Sequence, residues 1–200
     1  METITAIRER RAVKHYDPDF VIPEDQEKEL LDLIRQSPTS FNIQNWRFVL
    51  LRGKELRKQV RAQSWNQAQL TDASLMFIIC ADLKAWDKEP KRYWQDAPQE
   101  VQDFMVPAIG DFYRDREWQQ RDEAMRSAGI AAQTIMLTAK SMGYDSCPMI
   151  GFDPKGVGEL INLPEDHVIC MMVAVGKAAE PARSKGGYIP DEEVFITDKF

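Results

Sequence analysis

Apolar positions along this chain fall into two periods that alternate with one another. Ile4 and Ile7 mark one face of a helix over 3–11, which ends in Arg8, Arg10 and Arg11. The next stretch, Ala12-Val13-Lys14-His15-Tyr16, changes to an extended pattern and closes at Asp17-Pro18. Pro23 suits the first position of a second helix, whose first turn carries Glu24, Asp25 and Glu27. Leu30, Leu31 and Ile34 form its buried stripe, and Ser37-Pro38 stops it. Residues 48–51 read as a short strand punctuated by Gly53, and 54–64 as a polar helix. The run 75–80 is continuously apolar, as in a central strand covered on both faces. The clearest helix spans 122–142, with a small-residue face of Ala124, Ala128, Ala131, Ala132 and Ala139 closed by Gly143. With Gly129, that face suits a tight helix or subunit contact. Residues 144–153 read as a loop, 155–161 as a short helix and 168–175 as a last strand. This alternation predicts an α+β or α/β domain built round a small sheet with covering helices.

Three stretches stand outside the pattern. Residues 38–48 place Thr39, Ser40, Asn42, Gln44 and Asn45 beside Phe41 and Trp46, between a helix and a strand. Such a loop either satisfies its own backbone or contacts a ligand. Residues 84–120 intersperse Trp86, Tyr93, Trp94, Phe104, Phe112, Tyr113 and Trp118 with charges and with Pro90, Pro98 and Pro107. They predict a helical excursion that serves as a lid or faces a second subunit. The tail, 178–200, has no helical stripe, only a strand-like Val194-Phe195-Ile196, and a tail of that length needs a surface to lie on.

Composition narrows the function classes. The chain has 200 residues, 44% hydrophobic and 29% charged, enough for one sizeable core in a single domain, 1–200. A formal charge of -6 argues against a nucleic-acid surface. No apolar run is long enough to span a bilayer, and the first eleven residues lack the apolar segment of a secretory signal. Cys80, Cys147 and Cys170 are odd in number and fit no metal spacing, so they read as reduced thiols of a cytoplasmic protein.

Several motifs fail on inspection. Gly156-Val157-Gly158 lacks the third glycine of a dinucleotide fingerprint and follows no predicted strand. His15 and His167 show no carboxylate or cysteine at ligand spacing, so no metal is expected. No nucleophile elbow is present. Cys147-Pro148 reads as a structural thiol, since no base or cation stands beside it in sequence. The cations Arg10, Arg11 and Lys14 either grip a phosphate at a backbone turn or complement a helix dipole.

Taken together, three separated stretches resemble the FMN-dependent nitroreductase family. They are Arg10-Arg11-Ala12-Val13-Lys14, the 38–48 loop, and Gly143-Tyr144-Asp145-Ser146-Cys147-Pro148-Met149-Ile150-Gly151-Phe152-Asp153 after an Ala-rich helix. Asn162-Leu163-Pro164-Glu165-Asp166 and a terminal strand before Gly176 complete the order, and the likeness covers nearly the whole chain.

The resemblance implies an α+β, nitroreductase-like three-layer fold: a small mixed central sheet flanked by helices, in an intertwined homodimer. It implies that 84–120 is a helical lid and that 178–200 is an arm lying on the partner subunit. It implies non-covalent FMN, reduced by NADH or NADPH, with nitroaromatics or quinones as flat acceptors in a ping-pong cycle. Activated C=C bonds are the alternative acceptor, and a flavin-binding protein with little turnover is a second alternative. The flavin N5 carries the hydride, so no side-chain acid or base is expected. By this resemblance Arg10, Arg11 and Ala12 meet the phosphate and ribityl chain, and Lys14 brings positive charge to N1 and O2. Asn66 and Gln67 face the pyrimidine. Pro148, Met149, Ile150 and Gly151 act near N5, chiefly through backbone N–H groups. Pro38, Thr39, Ser40 and Asn42 reach the flavin partly from the other subunit. Three positions depart from the family pattern: Ala12 replaces a common Ser, Asn45 a Pro, and Tyr188 an Arg. Lys185 or Arg183 is then the cation left to take over at the phosphate.

Overall fold

A computed structural model describes residues 1–200 and sets a wholly buried strand, β2 (Leu75–Asp82), at the centre of the fold. The sheet runs in the order β1-β2-β4-β3, where β1 is Trp46–Leu50, β3 Asp145–Met149 and β4 His167–Gly176. All three strand pairings are antiparallel. The parallel component of the expected mixed sheet is a single bridge, Ala12 to Ser146, on the outer edge of β3. Ile79 pairs with Met171 but Cys80 with Ile169, so Cys170 is the extra residue of a bulge.

Alternation along β2 sorts the core into two faces. Leu75, Phe77 and Ile79, with Val173 and Val175, pack against Leu30 and Ile34 of α2 (Glu24–Ile34) and the alanine face of α6 (Glu117–Ser141). Met76, Ile78 and Cys80, with Cys147, Met172 and Ala174, pack against Val60 of α3 (Lys54–Ala62), Leu70 of α4 (Gln69–Asp72) and Val157 of α7 (Pro154–Leu160). Helices thus cover both faces and the fold has three layers. Each fully buried side chain of this size contributes about 1.5–3 kcal/mol.

A third cluster lies outside the layers. Trp86, Tyr93, Ile109 and Tyr113 bury themselves around Ile43, with Phe41, Trp94 and Phe112 against them. The excursion that supplies them is a 3-10 turn, Pro90–Tyr93, followed by α5 (Gln99–Tyr113). Its aromatics are therefore divided: most form a small core with the 38–48 loop, while Phe104 and the nearby Trp118 are exposed.

Several elements differ from the sequence reading. The presumed loop 144–153 contains β3, because Pro148 sits in an edge strand, where a missing N–H is tolerated. Helix α6 starts at Glu117 and not at residue 122. Pro23 caps α2 from outside. A Cβ added at Gly129 would meet nothing within 4 Å, so it is the alanines, not Gly129, that let α6 lie close within this chain. In the tail, 194–196 forms no strand. Pro190 and three acidic residues start a single helical turn, α8 (Asp191–Val194), with Phe195 extended after it. From Arg183 to Phe200 every residue is exposed.

Candidate active site

The first helix, α1 (Thr3–Glu9), ends as the backbone extends at Arg10. The extended stretch then docks on β3: the Val13 amide donates to the Ser146 carbonyl at 3.1 Å, and Ala12 bridges Ser146. This docking aligns Arg10, Arg11 and Lys14 along the outer edge of β3. Arg11 donates to the carbonyls of Arg8 and Arg10, and Lys14 Nζ lies 3.2 Å from Cys147 Sγ. None of the three forms an ion pair. In a chain of net charge -6, this stretch thus carries three cations that no carboxylate compensates. Lys185 Nζ donates to the Tyr188 hydroxyl at 2.8 Å; that bond lowers the phenol below its ordinary pKa, and the charge of Arg11 adds to the effect. Tyr188 thus feels the charge of Arg11.

At the far end of β3 the chain turns toward α7. The Phe152 amide donates to the Ile150 carbonyl at 3.1 Å, while the amides of Ile150 and Gly151 have no protein acceptor. Gly151 lies under the ring of Trp65, itself 79% exposed; a Cβ at 151 would stand 2.5 Å from Trp65 Cζ3. Gln67 Nε2 fixes this corner by donating to the Gly151 carbonyl at 2.8 Å and to the Ser64 carbonyl at 3.1 Å. Asn66 follows Trp65 in the left-handed region, φ 56° after φ 50°. Its Oδ1 accepts from Arg61 at 3.1 Å, which leaves its amide N–H groups for another partner. Met149 is buried in the core, so only its backbone faces the site.

The 38–48 loop is held by different neighbours. Thr39 Oγ1 accepts from the Gln44 amide at 3.0 Å, Asn42 Nδ2 donates to the Tyr93 carbonyl at 2.8 Å, and Trp94 Nε1 donates to the Phe41 carbonyl at 3.1 Å. The loop leads into β1, the opposite edge of the sheet from β3. Three strand spacings, about 14 Å, separate these edges. One chain therefore sets Arg10, Arg11, Ala12 and Lys14 on the stretch docked along β3, and connects Lys14 to the 148–151 corner, beside which stand Gln67 and its neighbour Asn66; Lys185 lies on the arm, beside Tyr188. The same chain holds Pro38, Thr39, Ser40 and Asn42 apart from them.

The profile of the nitroreductase family matches residues 7–177. This chain belongs to the nitroreductase family. The match ends where β4 hands over to the tail. Protein DrgA of Synechocystis sp. is 53% identical, over 92% of this chain and 88% of that one. An oxygen-insensitive NADPH nitroreductase of Helicobacter pylori is 30% identical, over 90% of this chain and 89% of its own. A chain of Exiguobacterium sibiricum solved in complex with FMN superposes with a TM-score of 0.90 at 25% identity, covering 98% of this chain and 97% of that one.

Two readings of the nitroreductase sequence need correction. Cys147 does have a cation beside it, Lys14, and no sequence signal links two residues 133 positions apart. His167 does have carboxylate neighbours: Nδ1 is 2.6 Å from Asp166, and Nε2 is 3.9 Å from Asp82. Those carboxylates are already neutralised. Lys88 lies between them at 2.6 and 2.9 Å, and Arg47 reaches Asp82 at 3.2 Å. The group ties the base of the sheet to the excursion. A cavity of 580 Å³ lies elsewhere, between 18–22, the end of β1 and the start of β2. Both of its arginines are engaged, since Arg57 serves three carbonyls and Arg52 pairs with Glu27. Sequence reasoning missed Trp65 and the buried Gln69 (4% exposed), both defined only by their contacts with the 148–151 corner and its clamp. No helix is long and apolar enough to cross a membrane.

Proposed function

We propose that this chain binds FMN at the β3 edge and serves as an oxidoreductase that takes a hydride from NADH or NADPH. The acceptor in this reading is a flat electrophile, a nitroaromatic or a quinone, and donor and acceptor use the same face in turn. One observation carries the reading: Arg10, Arg11 and Lys14, none of them ion-paired, stand on the stretch that docks on β3, and Lys14 is joined through Cys147, Gln69 and Gln67 to the corner that carries the two free amides of Ile150 and Gly151. A planar cofactor with a phosphate tail and a heteroatom-rich edge needs both groups. The named activity of the Helicobacter pylori relative and the FMN of the Exiguobacterium sibiricum chain support it.

The residues present fit FMN. Bound FMN supplies the hydride chemistry at its N5. Arg10 and Arg11 hold the phosphate and ribityl chain through charge-assisted hydrogen bonds, with Lys185 in support. Lys14 would bring fixed positive charge to the N1/O2 edge of bound FMN. The amides of Ile150 and Gly151 orient the N5 side, and Asn66 meets the pyrimidine. Gln67 acts one step back, since its amide is spent on Gly151 and Ser64.

Pro38, Thr39, Ser40 and Asn42 complete the site from a second copy in a homodimer. The arm, 178–200, stays on its own chain as far as Ala182, which packs against the core, and beyond it lies on that copy, and 84–120 forms the lid. Three unpaired thiols suit the reducing cytoplasm. The first test is the visible spectrum of the purified protein, repeated on the supernatant after heat denaturation. Two flavin bands released by heat are expected. A protein that stays colourless after incubation with FMN overturns the reading.

A further inference from the structure

Cys147 and Gln69 lie in a line of polar side chains that runs from Lys14 to the Gly151 corner. Lys14 Nζ donates to Cys147 Sγ at 3.2 Å, and Gln69 Nε2 approaches the same sulfur at 4.0 Å. Gln69 Nε2 also reaches Gln67 Oε1 at 3.3 Å, and Gln67 in turn clamps the Gly151 carbonyl. The Cys147 S–H is directed to the Pro148 carbonyl at 3.5 Å, which leaves the sulfur lone pairs to accept. Cys147 is fully buried. A leucine or methionine would fill the place of Gln69 without the desolvation cost of a buried amide.

Lysine is a strongly hydrated charge on a flexible stem, and at an exposed position it samples many rotamers. Lys14 is exposed, so a buried anchor on its ammonium restricts that freedom. The choice of anchor matters. A carboxylate would hold the ammonium and cancel its charge. A thiol is a weak neutral acceptor; it orients the ammonium, preserves its field and leaves two of its three N–H donors free. Gln69 extends the same frame to the corner that presents the Ile150 and Gly151 amides. The cation end and the amide end of the site are thereby joined.

We propose that Cys147 and Gln69 are positioning residues, which hold the Lys14 ammonium in register with the Gly151 corner and so set the reduction potential of the bound flavin. This rests on the FMN reading above.

The test uses the FMN-loaded protein and measures the midpoint potential, the FMN dissociation constant and the melting temperature. The variants are Cys147→Ala, Cys147→Ser and Gln69→Met. Cys147→Ala and Gln69→Met are expected to keep FMN, to lower the potential, and to slow reduction by nicotinamide about five- to tenfold. Cys147→Ser restores an acceptor and is expected to return the potential toward the wild-type value. A merely structural role would move the melting temperature and leave the potential of the folded, FMN-bound fraction alone. Should Cys147→Ala not fold, Gln69→Met carries the same measurement. A wild-type protein that takes up no FMN overturns the functional reading and this inference with it. Loaded variants with the wild-type potential overturn this inference alone.

Discussion

Arg57 has no carboxylate partner, yet its guanidinium is among the most engaged groups of the molecule. It donates to the carbonyls of Leu51 and Ala73 at 2.6 Å and of Ser74 at 3.0 Å, joining the exits of β1 and α4 to the entry of β2. Burial, helped by nearby Arg52, pulls its pKa below the ordinary arginine value, but it stays cationic. Replacing it by Met leaves three carbonyls without a donor. Arg57→Met is expected to cost about 2–4 kcal/mol, a fall of roughly 5–15 °C in melting temperature by calorimetry, with FMN stoichiometry unchanged. Gly151 behaves in the opposite way. Its added Cβ would strike the ring of an exposed tryptophan, which can swing aside, so Gly151→Ala is expected to change stability by no more than about 1 kcal/mol. Moving that ring and the corner beneath it disturbs the two free amides. FMN affinity, read by fluorescence titration, is expected to fall on the order of tenfold. Unchanged affinity would remove the corner from the site. At this scale the sequence exposes Gly151 through its motif, but Trp65 becomes visible only through the contact.

Elements that carry their own periodicity are legible in the sequence. β2 shows an unbroken apolar run because both of its faces are covered, and α6 shows its alanine stripe because that stripe lies on the sheet. β3 is not legible. It is five residues long, contains Pro148, and is a strand only because β4 pairs with it on one side and Ala12 bridges it on the other. Nor is the base of the sheet, where Lys88 joins Asp82 of β2 to Asp166 before β4. The hydrogen bond from Lys88, then that from His167, holds the Asp166 carboxyl at about 2 against an ordinary 3.8. A carboxyl lowered on folding stabilises the protein fully above its unfolded value and loses that contribution as pH falls through the folded one. The window here is therefore from 3.8 down to about 2. Melting temperatures measured across that window are expected to drop less steeply with acid in Asp166→Asn than in the wild type. The difference is expected to be modest, because the Asp166 side chain is 33% exposed and solvent screens its ion pair. Parallel curves would assign the acid loss to other carboxyls.

At the scale of the whole molecule, the order β1-β2-β4-β3 decides how a site can be assembled. The cation cluster lies outside β3 and the 38–48 loop leads into β1, so neither half reaches the other within one chain. The arm adds to the argument: Tyr188, Ile189, Val194, Phe195 and Ile196 are exposed along a segment that no part of its own chain covers. In the homodimer proposed above, a second copy covers these eighteen exposed residues and their apolar groups. Removing 183–200 is expected to shift the protein from dimer to monomer in sedimentation, with loss of bound FMN. A sharper test separates the two halves of the site. Lys14→Met disables the cation half, and Ser40→Trp obstructs the loop half with a bulky ring. Each variant alone assembles dimers in which both sites are defective. Co-expressed in equal amounts, half of the dimers are mixed, and each mixed dimer contains one doubly altered site and one intact site. About a quarter of the wild-type activity is then expected from the mixture, against background from either variant alone. Activity that stays at background in verified mixed dimers would place both halves of the site within one chain and overturn the shared-site assembly.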